Sequence, residues 1–261
     1  MANKLTAVVI PIYKQQLSDN EVISLKQCLS VLKKHPIIFV GPNRLNPDAY
    51  KSICADAGFN LLTFDDCYFE SIAGYNQLML SPSFYKSFFD YKFILIYQLD
   101  AYVFKDELTY WCNKNYDFIG APHMPHENRD GRMQLLKGYT KFINLINHLF
   151  KTNHKISNVG NGGFSLRKTK ACYWLLKILK GKVKAWGTHN EDGFFKYWGN
   201  VFYPFFKLPA DGVALRFSIE ESPLLSLKKL NGELPFGCHA FEKHDWETWK
   251  PLIIKHHRTL N

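Results

Sequence analysis

The sequence contains no apolar run that approaches the roughly 20 residues of a membrane-spanning helix. Its opening residues, MANKLTAVVIPIYK, lack the long apolar core and the small-residue cleavage site of a secretory signal peptide. The six cysteines are scattered and form no CxxC pair, which argues against a structural zinc site. These absences predict a cytosolic protein whose thiols are reduced and lie in its core.

The sequence also lacks internal repeats and any linker rich in Pro, Gly or Ser. Hydrophobic residues make up 46% of the 261 residues, which is enough to bury a sizeable core. We therefore predict one domain.

Acidic residues are too few to balance the basic ones, and the formal net charge is +10. Such a balance favours anionic partners, such as nucleotide phosphates, nucleic acid or an anionic membrane, although an ordinary solvated basic surface explains it equally well. The lysines are not gathered in one arm, and no nucleic-acid-binding module is recognisable. Nucleic acid is therefore not a predicted partner.

Short apolar runs alternate with helical patterns in the first half of the chain. Buried strands are predicted at 5–13, 36–41, 59–64 and 91–99. The capping-box pattern Ser18-Asp-Asn-Glu21 predicts the start of the first intervening helix. Strands separated by helices predict an α/β fold, with a Rossmann-type, mostly parallel central sheet flanked by helices.

The alternation weakens in the second half. Helices are predicted at about 106–115, 134–150 and 169–180, a strand and turn at 117–122, and a polar loop at 123–134.

The fourth predicted strand ends in an acid, since residues 93–104 read FILIYQLDAYVF. Ligands of open α/β sheets bind beyond the carboxyl ends of the strands. Asp100 therefore either meets a ligand at this edge or caps the following turn, and the turn is the commoner role of a lone strand-end aspartate.

Three later segments carry residues suited to chemistry. The glycines of GNGGFSLRK (160–168) either bring the backbone close to a ligand or form a tight turn. The adjacent acids of HNEDGFF (189–195) point about 100° apart on a helix, so one can act as a general base while the other caps or pairs, although the motif alone is more typical of an acid that caps a helix start. FGCHAF (236–241) contributes His239, which alone would more often be a satisfied core histidine.

Taken in order, QLDAYVF, DFIGAP, GNGGFSLRK, HNEDGFF and PFGCHAF resemble the DUF5672 family, a glycosyltransferase-like group of bacterial polysaccharide gene clusters. The resemblance covers residues 72–241, and the NGGFSLRK–NEDGFF pair is its most distinctive part. It implies a single GT-A-like domain over 1–261. Within it we expect a nucleotide-binding half (1–104), an acceptor and catalytic half (105–241) and a basic, aromatic C-terminal helix (242–261).

The wider GT-A pattern implies roles for individual residues. Asp192 or Glu191 would be the base that activates the acceptor, and we choose Asp192. Asp100 would lie near the donor's phosphates and, with His239, would ligate a divalent cation, Mn²⁺ or Mg²⁺. The phrase LDAY resembles the DxD signature of GT-A enzymes, but Tyr102 stands in place of the second acid and leaves metal dependence open.

Further contacts with a nucleotide sugar are predicted from position along the same sheet edge. They are Tyr13 for stacking on the base, Lys14 for a phosphate, Tyr75 and Asn76 at a helix start, Gly162 and Gly163 in the glycine turn, and Arg167, which pairs with a phosphate or with one of the two acids. Ordinary surface positions explain Tyr13 and Lys14 equally well.

The sequence thus predicts a glycosyltransferase that moves a sugar from a nucleotide donor to a hydroxyl of a bacterial surface glycan of the lipopolysaccharide or capsule type. Inversion is the chosen mechanism, although a retaining enzyme would show the same motifs. The alternative is a non-catalytic nucleotide- or glycan-binding domain of the same fold. The C-terminal segment 242–258 predicts either a peripheral contact with the inner face of an anionic membrane, near a lipid-linked acceptor, or an amphipathic helix packed on the core.

Overall fold

A computed structural model describes residues 4–54, 58–123, 141, 143–153 and 155–258. Apart from its first residue, the polar loop predicted at 123–134 lies outside the described residues, as does the beginning of the helix predicted at 134–150.

Two sheets organise the fold, one of six strands and one of three. The strands are β1 (Lys4–Pro11), β2 (Ile37–Pro42), β3 (Leu61–Phe64), β4 (Tyr91–Tyr97), β5 (Tyr102–Val103), β6 (Phe118–Ile119), β7 (Phe164–Lys168), β8 (Ser218–Ile219) and β9 (Gly237–Cys238).

The larger sheet has the order β3-β2-β1-β4-β7-β6 and the smaller one the order β5-β9-β8. The first four strands of the larger sheet pair in parallel, whereas β7 runs antiparallel to both of its neighbours. This arrangement confirms the predicted mostly parallel α/β sheet. The strand order reverses between β1 and β4, and at such a reversal open α/β sheets bind their ligands in the crevice beyond the carboxyl ends of the strands.

Helices cover both faces of the larger sheet. They are α1 (Asp19–Val31), α2 (Asp48–Cys54), α3 (Ile72–Met79), α4 (Pro82–Lys86), α5 (Leu108–Asn113), α6 (143–150), α7 (Thr169–Ile178), α8 (Lys180–Trp186), α9 (Glu191–Val201), α10 (Asp211–Phe217), α11 (Pro223–Lys229) and α12 (Trp246–Arg258).

Local sequence signals explain several helix boundaries. The predicted capping box is present at the start of α1, where the Ser18 side chain accepts from the Glu21 amide and the Glu21 side chain accepts from the Ser18 amide. Ser81-Pro82 separates α3 from α4, because proline fits the first turn of a new helix but not a helix interior.

Alternate residues of the central strands enter two different cores. Val8 and Leu95 belong to the hydrophobic cluster on one face of the sheet, whereas Val9 and Ile96 belong to the cluster on the other face. Because both faces are covered, the central strands are apolar throughout rather than alternating.

A third cluster holds the C-terminal helix α12. Trp249 is fully buried and stacks on Phe104, with ring centroids 5.8 Å apart, and Ile253 packs beside them. The apolar side of α12 therefore packs on the core. Tyr102, in place of the second DxD acid, is buried in the same cluster. No helix in the described ranges is both long enough and apolar enough to cross a membrane.

The prediction that the cysteines lie in the core is right for five of the six. It is wrong for Cys67, which is exposed in the 3₁₀ helix Asp66–Phe69. This single turn has no buried residue, so its thiol stays at the surface.

Candidate active site

The crevice between β1 and β4 collects the side chains that follow these two strands. Since Val9 pairs with Ile96, the residues after both strands leave the sheet at the same edge. Tyr13 is 57% exposed there and lies under the Lys14 ammonium, 5.8 Å from its ring centroid. Lys14 forms a 2.7 Å ion pair with Glu21, and its charge also acts on Asp100.

Asp100 faces a histidine from the other end of the chain. His239 Nε2 lies 3.1 Å from Asp100 Oδ1 and 3.2 Å from Gln98 Oε1. Burial lowers the pKa of His239, but Asp100 and Glu220 outweigh it and raise that pKa to about 10. Burial likewise raises the pKa of Asp100, and the charge of His239 lowers it to a net value below the usual one.

The glycine turn leaves space for these side chains. A Cβ built on Gly163 would lie 1.9 Å from His239 Nε2 and 2.5 Å from Gln98 Oε1, and one on Gly162 would lie 1.9 Å from Glu191 Oε1. Both positions therefore require glycine, because the side chains of Glu191, His239 and Gln98 fill the space that a Cβ would take.

Two backbone amides of the turn donate hydrogen bonds within the protein. The Gly163 amide donates to Asn161 Oδ1 at 2.9 Å, and the Asn161 amide donates to Asp192 Oδ2 at 2.7 Å. Through Asn161, the turn thus connects the Asp192 carboxylate to Gly163, which lies against the His239 ring.

Gly163→Ala is expected to push the His239 ring aside and to lower the free energy of unfolding by about 1–3 kcal/mol, the usual cost of overpacking. Urea unfolding measures this cost. Gly181→Ala is the matched control, because a Cβ at this second residue of α8 meets nothing within 4 Å. Equal destabilisation by both variants would contradict the proposed steric role of Gly163.

The two adjacent acids at the start of α9 have different partners, as their helical spacing predicts. Glu191 Oε1 pairs with Arg167 at 2.8 Å, and both side chains are almost completely buried. Asp192 holds the turn amide and lies 3.9 Å from His123, measured from Oδ2 to Nε2. Within the described residues, Glu191 is thus paired with a guanidinium, whereas Asp192 faces the His123 ring.

Arg167 is enclosed rather than directed at the crevice. Its guanidinium donates to Tyr85 Oη at 2.9 Å and lies over the rings of Phe118 and Phe195, at 5.1 and 5.6 Å from their centroids. The side chain is 0% exposed. The structure therefore pairs Arg167 with one of the two acids, which is one of the two partners that the sequence allowed.

The side chain of Tyr75 lies among the site residues, whereas that of Asn76 contacts the segment before α9. Burial raises the pKa of the Tyr75 phenol, and the charges of Arg167, Glu191 and Asp100 also act on it, so its hydroxyl lies among the site residues. Asn76 is buried, and its amide donates to the Thr188 carbonyl at 3.1 Å, which ties α3 to the segment before α9.

Three side chains of the site escaped the sequence analysis: Gln98, His123 and Glu220. Gln98 stood inside the quoted strand end, and its polar side chain after an apolar run was an available signal. His123 lies 3.9 Å from Asp192 and, on its other nitrogen, 3.9 Å from Glu221. No spacing in the sequence connects these positions, because only the fold brings them together.

The arrangement offers a partial set of ligands for a hard divalent cation. A carboxylate oxygen of Asp100 and a ring nitrogen of His239 converge, whereas Tyr102 is buried elsewhere. Among the described residues, no group of three His, Cys, Asp or Glu side chains could hold a metal ion by itself. Mg²⁺-type ions commonly bind one or two protein ligands together with nucleotide phosphates, and this pair fits that mode.

Comparisons with known proteins place this geometry in context. A family model described as "Protein of unknown function (DUF5672)" matches residues 58–239. No curated protein matches the chain.

Three solved structures show the likeness of the fold. The apo form of mouse xyloside xylosyltransferase 1 superposes with a TM-score of 0.53 at 11% identity, covering 92% of this chain and 98% of that one. The galactosyltransferase LgtC, in complex with donor and acceptor sugar analogues, gives 0.54 at 11% identity, covering 89% and 86%. Core-mannan synthase A (CmsA/Ktr4) from Aspergillus fumigatus, in its Mn/GDP form, gives 0.51 at 11% identity, covering 82% and 72%. At such identities the likeness shows the fold alone, and that fold is the predicted GT-A type.

Proposed function

Since the chain belongs to the DUF5672 family and has the GT-A fold, we propose that it is a glycosyltransferase that uses a nucleotide-sugar donor. The observation that carries the proposal is the convergence of Asp100 and His239 at the strand-order reversal, where α/β proteins bind their ligands.

The donor is proposed to lie along the carboxyl edge of β1 and β4. The exposed ring of Tyr13 offers a surface for the base, and the Lys14 ammonium offers a positive charge for a phosphate. Asp100 and His239 Nε2 would hold a divalent cation, Mn²⁺ or Mg²⁺. Such a cation neutralises the charge that develops on the leaving nucleotide phosphates.

Asp192 is proposed to be the general base. As the acceptor hydroxyl oxygen bonds to the anomeric carbon, its proton would pass to Asp192, and the bond from that carbon to the nucleotide phosphate would break. One displacement of this kind inverts the anomeric configuration. Glu191 is not assigned this role, because its carboxylate is paired with Arg167 in the interior, where an acceptor hydroxyl has no access to it.

The acceptor is proposed to be a hydroxyl of a bacterial surface glycan, free or linked to lipid. The acceptor would approach along His123, whose side chain is 24% exposed and lies 3.9 Å from the buried Asp192.

A second candidate is a domain of the same fold that binds a nucleotide or glycan without transferring sugar. The burial of Tyr102 favours it, because the second carboxylate of the DxD pattern is missing and nothing in the described residues replaces it as a third ligand. Binding without release of nucleotide, across donors and metals, would support this candidate.

A thermal-shift panel tests the donor site. We expect one of UDP, GDP, CMP and dTDP to stabilise the protein, and a nucleotide at about 100 times its Kd adds roughly 2.7 kcal/mol. Asp100→Ala is expected to abolish the shift. Wells with Mn²⁺, Mg²⁺ or EDTA show whether a cation contributes.

Asp90→Ala is the matched control, since Asp90 is an exposed aspartate at the opposite end of the same strand. If no nucleotide shifts the melting temperature under any condition, the donor-site proposal is wrong.

A further inference from the structure

Glu220 contacts the side of the His239 ring that faces away from Asp100. The carboxylate Oε1 of Glu220 lies 3.1 Å from His239 Nδ1, while Nε2 of the same ring faces Asp100 and Gln98. His239 is only 9% exposed, so bulk water has little access to replace the carboxylate.

Strand pairing fixes this contact. The strands β8 and β9 run in parallel with Ile219 opposite Cys238. Glu220 directly follows β8, and His239 directly follows β9. The His239 amide also donates to the Ile219 carbonyl at 3.0 Å. The two side chains therefore leave neighbouring strands at the same level, and their contact follows from the backbone register.

Hydrogen-bond chemistry then sets the role of each ring nitrogen. An ionised carboxylate can only accept, so Nδ1 carries a hydrogen and donates it to Glu220. A cation would then meet Nε2, which faces the Asp100 oxygen across the gap that Gly163 leaves open and must release its own hydrogen before it can ligate. Histidine ligands of metals are commonly held by such a carboxylate on the second nitrogen.

We propose that Glu220 is a positioning residue for the donor's cation: through Nδ1 it holds the His239 ring with Nε2 toward Asp100. The inference rests on the proposed function, because the cation concerned is the one that would bridge the protein and the nucleotide phosphates. It assigns a task to a residue that no sequence motif marked.

Mn²⁺ affinity tests the proposal. Free Mn²⁺ is measured by electron paramagnetic resonance in titrations of the full chain, with and without UDP or GDP. Glu220→Ala is expected to raise the Kd for Mn²⁺ by about 10- to 100-fold, the usual effect of losing such a partner. Glu220→Gln should stay near wild type, because its amide oxygen still accepts from Nδ1.

Two further variants make the test specific. Glu220→Met fills the same space without an acceptor and should weaken Mn²⁺ binding as alanine does, so it serves if the alanine variant does not fold. Glu233→Ala removes an exposed carboxylate from the same segment and should leave the affinity unchanged. Nucleotide affinity in EDTA should be equal in all variants, which a merely structural role for Glu220 would not produce.

The outcomes separate this inference from the proposed function. If Glu220→Ala and Glu220→Met both bind Mn²⁺ with wild-type affinity, Glu220 is not a positioning residue, and the donor-site proposal is unaffected. A wild type that binds neither nucleotide nor Mn²⁺ overturns both. Binding of Mn²⁺ that is lost in these variants, but never enhanced by nucleotide, keeps the role of Glu220 and counts against a nucleotide donor.

Discussion

Asp192→Asn is expected to lower the rate of sugar transfer by about 10²- to 10⁴-fold, the usual contribution of a general base. An amide cannot take the acceptor's proton. In the wild type the Asn161 backbone amide donates to the Asp192 carboxylate at 2.7 Å. The side-chain oxygen of asparagine can still accept this hydrogen bond, so the glycine turn should keep its shape. Transfer should therefore fail while the donor still binds.

The measurement is the release of nucleoside diphosphate from the donor whose nucleotide stabilises the protein, in the presence of a pool of short oligosaccharide acceptors. The melting temperature with nucleotide should match that of wild type. Asp90→Asn makes the same chemical change at the amino end of β4 and should transfer sugar normally. A wild-type rate for Asp192→Asn would mean that Asp192 is not the general base. A product with the donor's anomeric configuration would exclude a single inverting displacement.

The fold follows from signals that lie within short stretches of sequence. The runs that became β1 and β4 end in five or more consecutive apolar residues, 7–11 and 93–97, which indicates strands covered on both faces, and the structure covers both faces with helices. The start of α1 was readable because a capping box needs only residues 18–21. Such elements depend on local chemistry, so a single sequence is sufficient to predict them.

The site depends on contacts between distant segments, and there the sequence was less informative. The pair of Asp100 and His239 came from a family resemblance, and its geometry depends on the register of two-residue strands that have no periodicity to detect. Glu220 was missed for the same reason.

Arg167 shows how burial decides between alternatives that the sequence leaves open. Ser165 and Arg167 are two residues apart on β7, so both point to one face, and the Ser165 hydroxyl accepts from Arg167 Nε at 3.0 Å. That face is packed with Phe118 and Phe195, which leaves the guanidinium no route to solvent. Composition alone cannot show this, because arginine is usually a surface residue.

Arg167→Met is expected to destabilise the protein by about 3–5 kcal/mol, because it leaves the Glu191 carboxylate buried without its cation. The double variant Arg167→Met/Glu191→Leu should recover most of that loss, since no charge then remains in the interior. Urea unfolding of wild type, both single variants and the double variant gives the coupling energy. A double variant as unstable as the sum of the single ones would contradict the pairing.

The same variant should show a diagnostic dependence on pH. In the wild type, burial raises the pKa of Glu191 and the Arg167 charge opposes that rise. Loss of Arg167 removes the opposing effect, so the folded-state pKa rises further above the unfolded value of about 4.3. A carboxyl of this kind is least destabilising below the unfolded pKa, and its cost grows as the pH rises through the folded pKa. The loss of stability in Arg167→Met should thus be largest at neutral pH and shrink toward acid, whereas an effect of side-chain volume alone would be independent of pH.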